Sequence, residues 1–263
     1  MTPIRFGPTT FETGLVIFDK DGTLTHFDPV WQSIYLAGIN AVAQAVGNPA
    51  IIRSELHATL GYDPFERRFS THGPFATAAN TKIGTIVATV LHRHARPALT
   101  WDEAEALVEH TFLAALAMPP DPALLTTPTD LPTLFGSLRA ADIPVAVVTS
   151  DERAQTLYTL DIVGIGDLVG LVIASDDPYP KKPAPEAIWA ACLHFGVGVA
   201  QAVMVGDSLT DMRMGRAAGV GLRVAVLTGP GNREDLAPYA DVVLESIGGI
   251  VLSKGEEEGK KGE

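Results

Sequence analysis

Two aspartates, Asp19 and Asp21, stand two positions apart in the segment Phe18-Asp19-Lys20-Asp21-Gly22-Thr23-Leu24-Thr25. The apolar run that precedes them reads as a buried strand, so both carboxylates project from one sheet edge. Such a pair can divide labour: one ionised carboxylate attacks as a nucleophile, while the other gives a proton to the leaving oxygen and later takes one from water. Gly22 permits close backbone approach to a ligand. A bare Asp-x-Asp is more simply a solvated Asp-Gly turn, and it is the whole octet that favours chemistry.

A second acidic segment, Val205-Gly206-Asp207-Ser208-Leu209-Thr210-Asp211, also closes an apolar run. It spaces Asp207 and Asp211 about one helical turn apart. Carboxylates so placed suit a hard cation such as Mg²⁺, which bridges protein oxygens to phosphate and offsets the repulsion between an anionic nucleophile and an anionic substrate. Helix capping by Asp207 or Ser208 explains the same residues without a metal. Val147-Val148-Thr149-Ser150-Asp151 supplies hydroxyls and the N–H groups of a helix start, which suit a phosphate oxygen, although Ser and Thr cap many helices. In Lys181-Lys182-Pro183-Ala184-Pro185-Glu186, Lys181 reads as a surface residue. Lys182 is placed to reach the acidic cluster, keep the nucleophile ionised and neutralise charge on a transferred phosphoryl group.

These four segments, in this order, resemble the four motifs of the haloacid dehalogenase superfamily, and the octet together with Gly-Asp-Ser-x-x-Asp carries most of the specificity. The similarity covers roughly Leu15–Thr25 and Leu131–Leu252, including the late Leu227-Thr228-Gly229 and Ala240-Asp241-Val242-Val243, and the chain is similar to the phosphoglycolate phosphatase-like branch, whose helical cap follows the first motif. The resemblance implies a Mg²⁺-dependent phosphatase acting on a small phosphorylated metabolite through an aspartyl-phosphate. Asp19 would be nucleophile and metal ligand, and Asp21 general acid/base that also offers its backbone carbonyl to the metal. Thr149 and Lys182 would bind the phosphoryl group, Asp207 would ligate the metal, and Asp211 would support it directly or through water. Lys20 occupies a position that varies in the family and receives no role. A phosphomutase would share every core residue, whereas a dehalogenase needs neither Asp21 nor a metal. A non-catalytic relative would carry a costly acidic cluster to no purpose.

The elements that must position these residues follow from the apolar pattern. Val- and Ile-rich runs at Leu15–Asp19, Pro144–Thr149, Leu171–Ser175, Ala202–Gly206, Leu222–Leu227 and Asp241–Leu244 alternate with helix-patterned stretches at Leu131–Ala141, Arg153–Ile162, Pro185–Phe195 and Asp211–Ala218. That alternation predicts an α/β fold with a doubly wound, Rossmann-like parallel sheet. Residues 26–125 interrupt it as an all-helical insert, a candidate lid over the carboxyl ends of the strands. Helices are predicted there near Pro29–Val46, Ile51–Leu60, Asn80–Arg93 and Thr100–Ala117, the last opened by a Thr100/Glu103 capping box. The expected organisation is thus a discontinuous core of residues 1–25 and 126–252, a cap of 26–125, and a disordered tail of 253–263. The loop Gly61–Ala79 brings Arg67, Arg68 and His72 as candidates to meet a substrate anion, while His92 and His94 read as a solvated helix end.

Bulk properties limit the partners. A formal charge of -12 over 263 residues argues against a nucleic-acid surface. The single cysteine, Cys192, excludes an intrachain disulfide. Neither a secretory signal nor a membrane span is expected, which points to a cytoplasmic protein, with monomer and homodimer both open.

Overall fold

The structure is a computed structural model that describes residues 1–252; the segment 253–263, expected as a tail, lies outside the described residues. Strands β1 (Thr2–Phe6) and β2 (Thr9–Thr13) form a hairpin, and β3 (Leu15–Phe18) follows at once. A short ribbon, β4 (Tyr62–Asp63) and β5 (Arg68–Phe69), lies in the insert. The remaining strands are β6 (Val145–Val148), β7 (Leu171–Ile173), β8 (Ala202–Gly206), β9 (Leu222–Val226), β10 (Val242–Leu244) and β11 (Ile250–Leu252).

Six strands make one parallel sheet in the order β10-β9-β8-β3-β6-β7. Every side chain of β3, β6 and β8 is buried, as expected for strands covered by helices on both faces. Successive residues serve opposite layers. Val16, Phe18, Val145, Val147, Val203 and Val205 pack with Leu134, Phe135, Leu138 and Leu160 of helices Leu131–Ala140 and Arg153–Ile162. Leu15, Ile17, Ala146, Val148 and Met204 pack with Ile188, Ala191 and Met214 of helices Glu186–Phe195 and Leu209–Ala218. The chain runs outward from β3 through β6 to β7, then returns to the other side of β3 through β8. A crevice opens at such a reversal, at the carboxyl ends of β3, β6 and β8.

Between β3 and β6, helices Phe27–Ala45, Pro49–Leu60, Asn80–His94 and Trp101–Val108 enclose a separate apolar cluster that includes Tyr35, Ile39, Leu56, Phe69, Val87 and Phe112. The Thr100/Glu103 capping box is present. The expectation of an all-helical insert is corrected by the β4–β5 ribbon, in which Tyr62 pairs with Phe69 and turns its ring into the cluster. The predicted helix over Thr100–Ala117 is also interrupted, by a π-helical turn at Glu109–Leu113.

A second correction lies at the start of the chain. Strands β11, β1 and β2 form a small antiparallel sheet, where no strand before Leu15 was expected. Alternation explains it, because Ile4 and Phe6 enter the main core while their neighbours stay outside. Gly7, at φ +57, makes the tight Gly7-Pro8 connection. Among the described residues no helix is long and apolar enough to cross a membrane.

Candidate active site

Parallel pairing fixes the first residue past each central strand. Phe18 lies in register with Val147 of β6 and Val205 of β8, so Asp19, Thr149 and Asp207 all emerge near one end of the sheet. The Asp19 amide donates to the Val205 carbonyl (2.9 Å), holding the residue in line with its strand. Asp211 reaches the same place from the helix that follows β8. Carboxylate oxygens of Asp19, Asp207 and Asp211 lie within 4.8 Å of one another, and all three residues are buried.

Lys182 ties this cluster together. Its Nζ donates to Asp19 Oδ1 (2.6 Å) and to Asp211 Oδ1 (2.7 Å), and its side chain is 6% exposed. The other oxygen of Asp211 accepts from the Ser208 amide (3.2 Å) and hydroxyl (2.5 Å), a capping box at the start of helix Leu209–Ala218. Capping and cluster membership are therefore two uses of one side chain.

Burial pushes the Asp19 carboxyl up to about 7; Lys182 works against this rise, while Asp211 and Asp21 add to it. Burial, then repulsion from Asp19 and Asp211, likewise raises Asp207 well above the usual carboxylate range. Burial opposes the Lys182 charge, but Asp19 and Asp211 outweigh it and hold the ammonium above an ordinary lysine. With all three carboxylates ionised, the single ammonium would leave an excess of two negative charges in a buried site. A divalent, oxygen-preferring cation matches that excess and that donor set, and its charge would favour the ionised carboxylates.

The Asp21 side chain stands outside the three-carboxylate group. Lys20 Nζ meets Asp21 Oδ2 (2.8 Å) and Asp151 Oδ2 (2.9 Å) while being 3% exposed itself. Lys20, given no role above, thus joins the motif after β3 to the one after β6. Its partner Asp151 lies far away in sequence, which is why local pattern did not reveal the link. The Thr149 hydroxyl accepts from the Asp151 amide (3.1 Å), leaving its own hydrogen available to a ligand. Ser150 lines the same cleft.

A loop unmarked by chemistry closes the site on the Asp207 side. Thr228 Oγ1 donates to the Gly22 carbonyl (2.5 Å). A Cβ on Gly229 would collide with the Asp207 carboxylate, and one on Gly22, at φ +83, would come within 2.6 Å of it. Gly229→Ala should therefore displace Asp207 and weaken binding of a divalent cation such as Mg²⁺ by about 10–100-fold, the usual penalty for disturbing groups that orient a ligand. A metal titration that gives the same midpoint for variant and wild type would show that this packing is irrelevant.

The cleft above the carboxylates has a volume of about 190 Å³ and is roofed by the insert, including Phe27, Trp31, Phe75 and Asn80. Only the last part of the Gly61–Ala79 loop takes part. Arg67 and Arg68, expected to meet a substrate, are not brought there. Both are exposed, and Arg68 instead lines a neighbouring cavity with Asp28, His57 and Asp63. The ribbon turns Arg68 outward because its neighbour Phe69 faces the apolar cluster, and Arg67, at φ +51, lies in the turn that precedes the strand. His72 pairs with Asp235 (3.2 Å).

A family model for haloacid dehalogenase-like hydrolases matches residues 13–219. A plasmid-borne phosphoglycolate phosphatase of Cupriavidus necator is 33% identical over 115 residues, 43% of this chain and 49% of that protein. The phosphoglycolate phosphatase of Pectobacterium atrosepticum is 28% identical over 212 residues, 77% of this chain and 75% of its own. The chain thus spans about half the length of the curated relatives it matches at 33% identity. Among solved structures, a predicted phosphoglycolate phosphatase from Haemophilus somnus 129pt superposes with a TM-score of 0.63 at 19% identity, covering 91% of this chain and 96% of its own. That likeness is one of fold.

Proposed function

From membership of the haloacid dehalogenase-like hydrolase family, to which this chain belongs, we propose that it is a Mg²⁺-dependent phosphatase that hydrolyses a small phosphomonoester through an aspartyl-phosphate on Asp19. The observation that carries this reading is the contact of Lys182 with both Asp19 and Asp211 beside Asp207, at the carboxyl ends of adjacent parallel strands. Asp19, Asp207 and Asp211 would hold the cation, which when bound neutralises charge on the phosphoryl group.

The remaining chemistry belongs to the chain. The Asp19 carboxylate attacks phosphorus as the bond to the leaving oxygen breaks. Asp21, a member of the same cleft, gives that oxygen its proton. Water then attacks the aspartyl-phosphate, passing a proton back to Asp21, and phosphate departs with Asp19 regenerated. Thr149 and Lys182 hold the phosphoryl oxygens throughout. Residues 26–125 act in this reading as a cap whose inner wall excludes water and receives the leaving group.

Phosphate release from a panel of small phosphomonoesters tests this directly. Turnover is expected with Mg²⁺ and should vanish on chelation and return on its readdition. Release that is indifferent to chelation would remove the metal from the proposal. Transfer of the phosphoryl group back to a sugar would identify a mutase instead.

A further inference from the structure

The wall that would receive the leaving group carries no charge. The insert presents Phe27, Trp31, Phe75 and Ile83 to the cleft, with Thr77 and Asn80 as its polar members. The aromatic residues form a continuous surface: Phe27 stacks on Trp31 (6.0 Å between centroids) and Trp31 meets Phe75 edge-on (6.2 Å). Among the described residues that line the cleft, Lys182 is the sole base, and its ammonium is already held by Asp19 and Asp211. Lys20, just beneath, is likewise engaged by Asp21 and Asp151.

A carboxylate on the leaving group would therefore lie between aromatic rings above and, below, a phosphoryl group that already engages the proposed metal and Lys182, with no further cation among the described residues that line the cleft. Desolvating an unpaired anion beside other anions is strongly unfavourable. A neutral group with a flat or apolar face suffers no such penalty and gains contact with the rings. We propose that the chain selects phosphomonoesters of uncharged alcohols bearing an aromatic or apolar face, and discriminates against phosphoglycolate, the substrate for which its curated relatives are named. This rests on the phosphatase reading and names the substrate class of the same site.

The test compares kcat/KM for phosphoglycolate, its neutral isostere phosphoglycolamide and benzyl phosphate, all with Mg²⁺. The amide should exceed the acid at least about tenfold, and benzyl phosphate should match or exceed the amide. Asn80 is exposed on the cleft side of the insert, so Asn80→Arg should add a cation there and raise kcat/KM for phosphoglycolate relative to the amide by about tenfold. Phosphoglycolate turned over as well as the amide by the wild type, or an Asn80→Arg enzyme with an unchanged ratio, would overturn the selectivity while leaving the phosphatase reading intact. No release from any of the three esters would instead strike the phosphatase reading itself, and the selectivity with it.

Discussion

Replacing Asp19 by Asn is expected to lower phosphate release by on the order of 10⁴-fold or more, the scale on which loss of a covalent nucleophile falls, while leaving the fold intact. The substitution is nearly isosteric, and its amide oxygen can still accept from Lys182, which lies 2.6 Å from Asp19 Oδ1. It also removes one negative charge from a buried site where Asp207 and Asp211 already repel Asp19. The variant should therefore melt no lower than wild type in the absence of metal. A lower melting temperature would show that the Lys182–Asp19 pair outweighs that repulsion. Activity within tenfold of wild type would exclude Asp19 as the attacking group.

Lys182→Met should have the opposite signature. The methylene stem is largely preserved, but Asp19, Asp207 and Asp211 lose the ammonium that contacts two of them. Breaking a buried ion pair from one side costs about 3–5 kcal/mol, which for a chain of this size is a fall in melting temperature of roughly 10 °C. Because the site becomes more negative, added Mg²⁺ should stabilise the variant more than it stabilises wild type. It should not restore turnover, since the proposed phosphoryl ligand is also gone. A variant that melts like wild type without metal would mean that the lysine contributes little net charge compensation.

The contrast between these variants reflects how the site is built. Asp19, Thr149 and Asp207 were legible because each closes a strongly apolar run, and parallel pairing then places the ends of such runs together. Lys182 was legible as a base just before a helix; its double contact with Asp19 and Asp211 depends on tertiary placement alone. Lys20 shows the limit most clearly: the family resemblance assigns its position no role, yet it is buried between Asp21 and Asp151. Gly229 falls within the segment that carries the resemblance, but its role, the side chain it lacks beside Asp207, depends on tertiary placement.

In the insert, helices with a regular apolar face were readable, whereas the β4–β5 ribbon was not, since two-residue strands carry no period to detect. That ribbon decides which loop residues reach the cleft. Phe69 turns inward and Arg67 and Arg68 turn outward, so the charged residues that attract attention in the sequence lie outside the cleft, and the uncharged Phe27, Trp31 and Phe75 line it. The β1–β2 hairpin is hard to read from the sequence for a similar reason. Only Ile4 and Phe6 of β1 reach the main core, and a pattern of two residues is weak without its partner β11, which lies at the far end of the described chain.

The most direct measurement of the central claim is chemical capture of the intermediate. The enzyme is mixed with Mg²⁺ and a ³²P-labelled phosphomonoester that it turns over, quenched in acid during turnover, digested and mapped. One labelled peptide, containing Asp19 and losing its label to hydroxylamine as an acyl phosphate must, is the expected result. Phosphate release with no label on the Asp19 peptide, or stable label on another residue, would contradict the proposed mechanism.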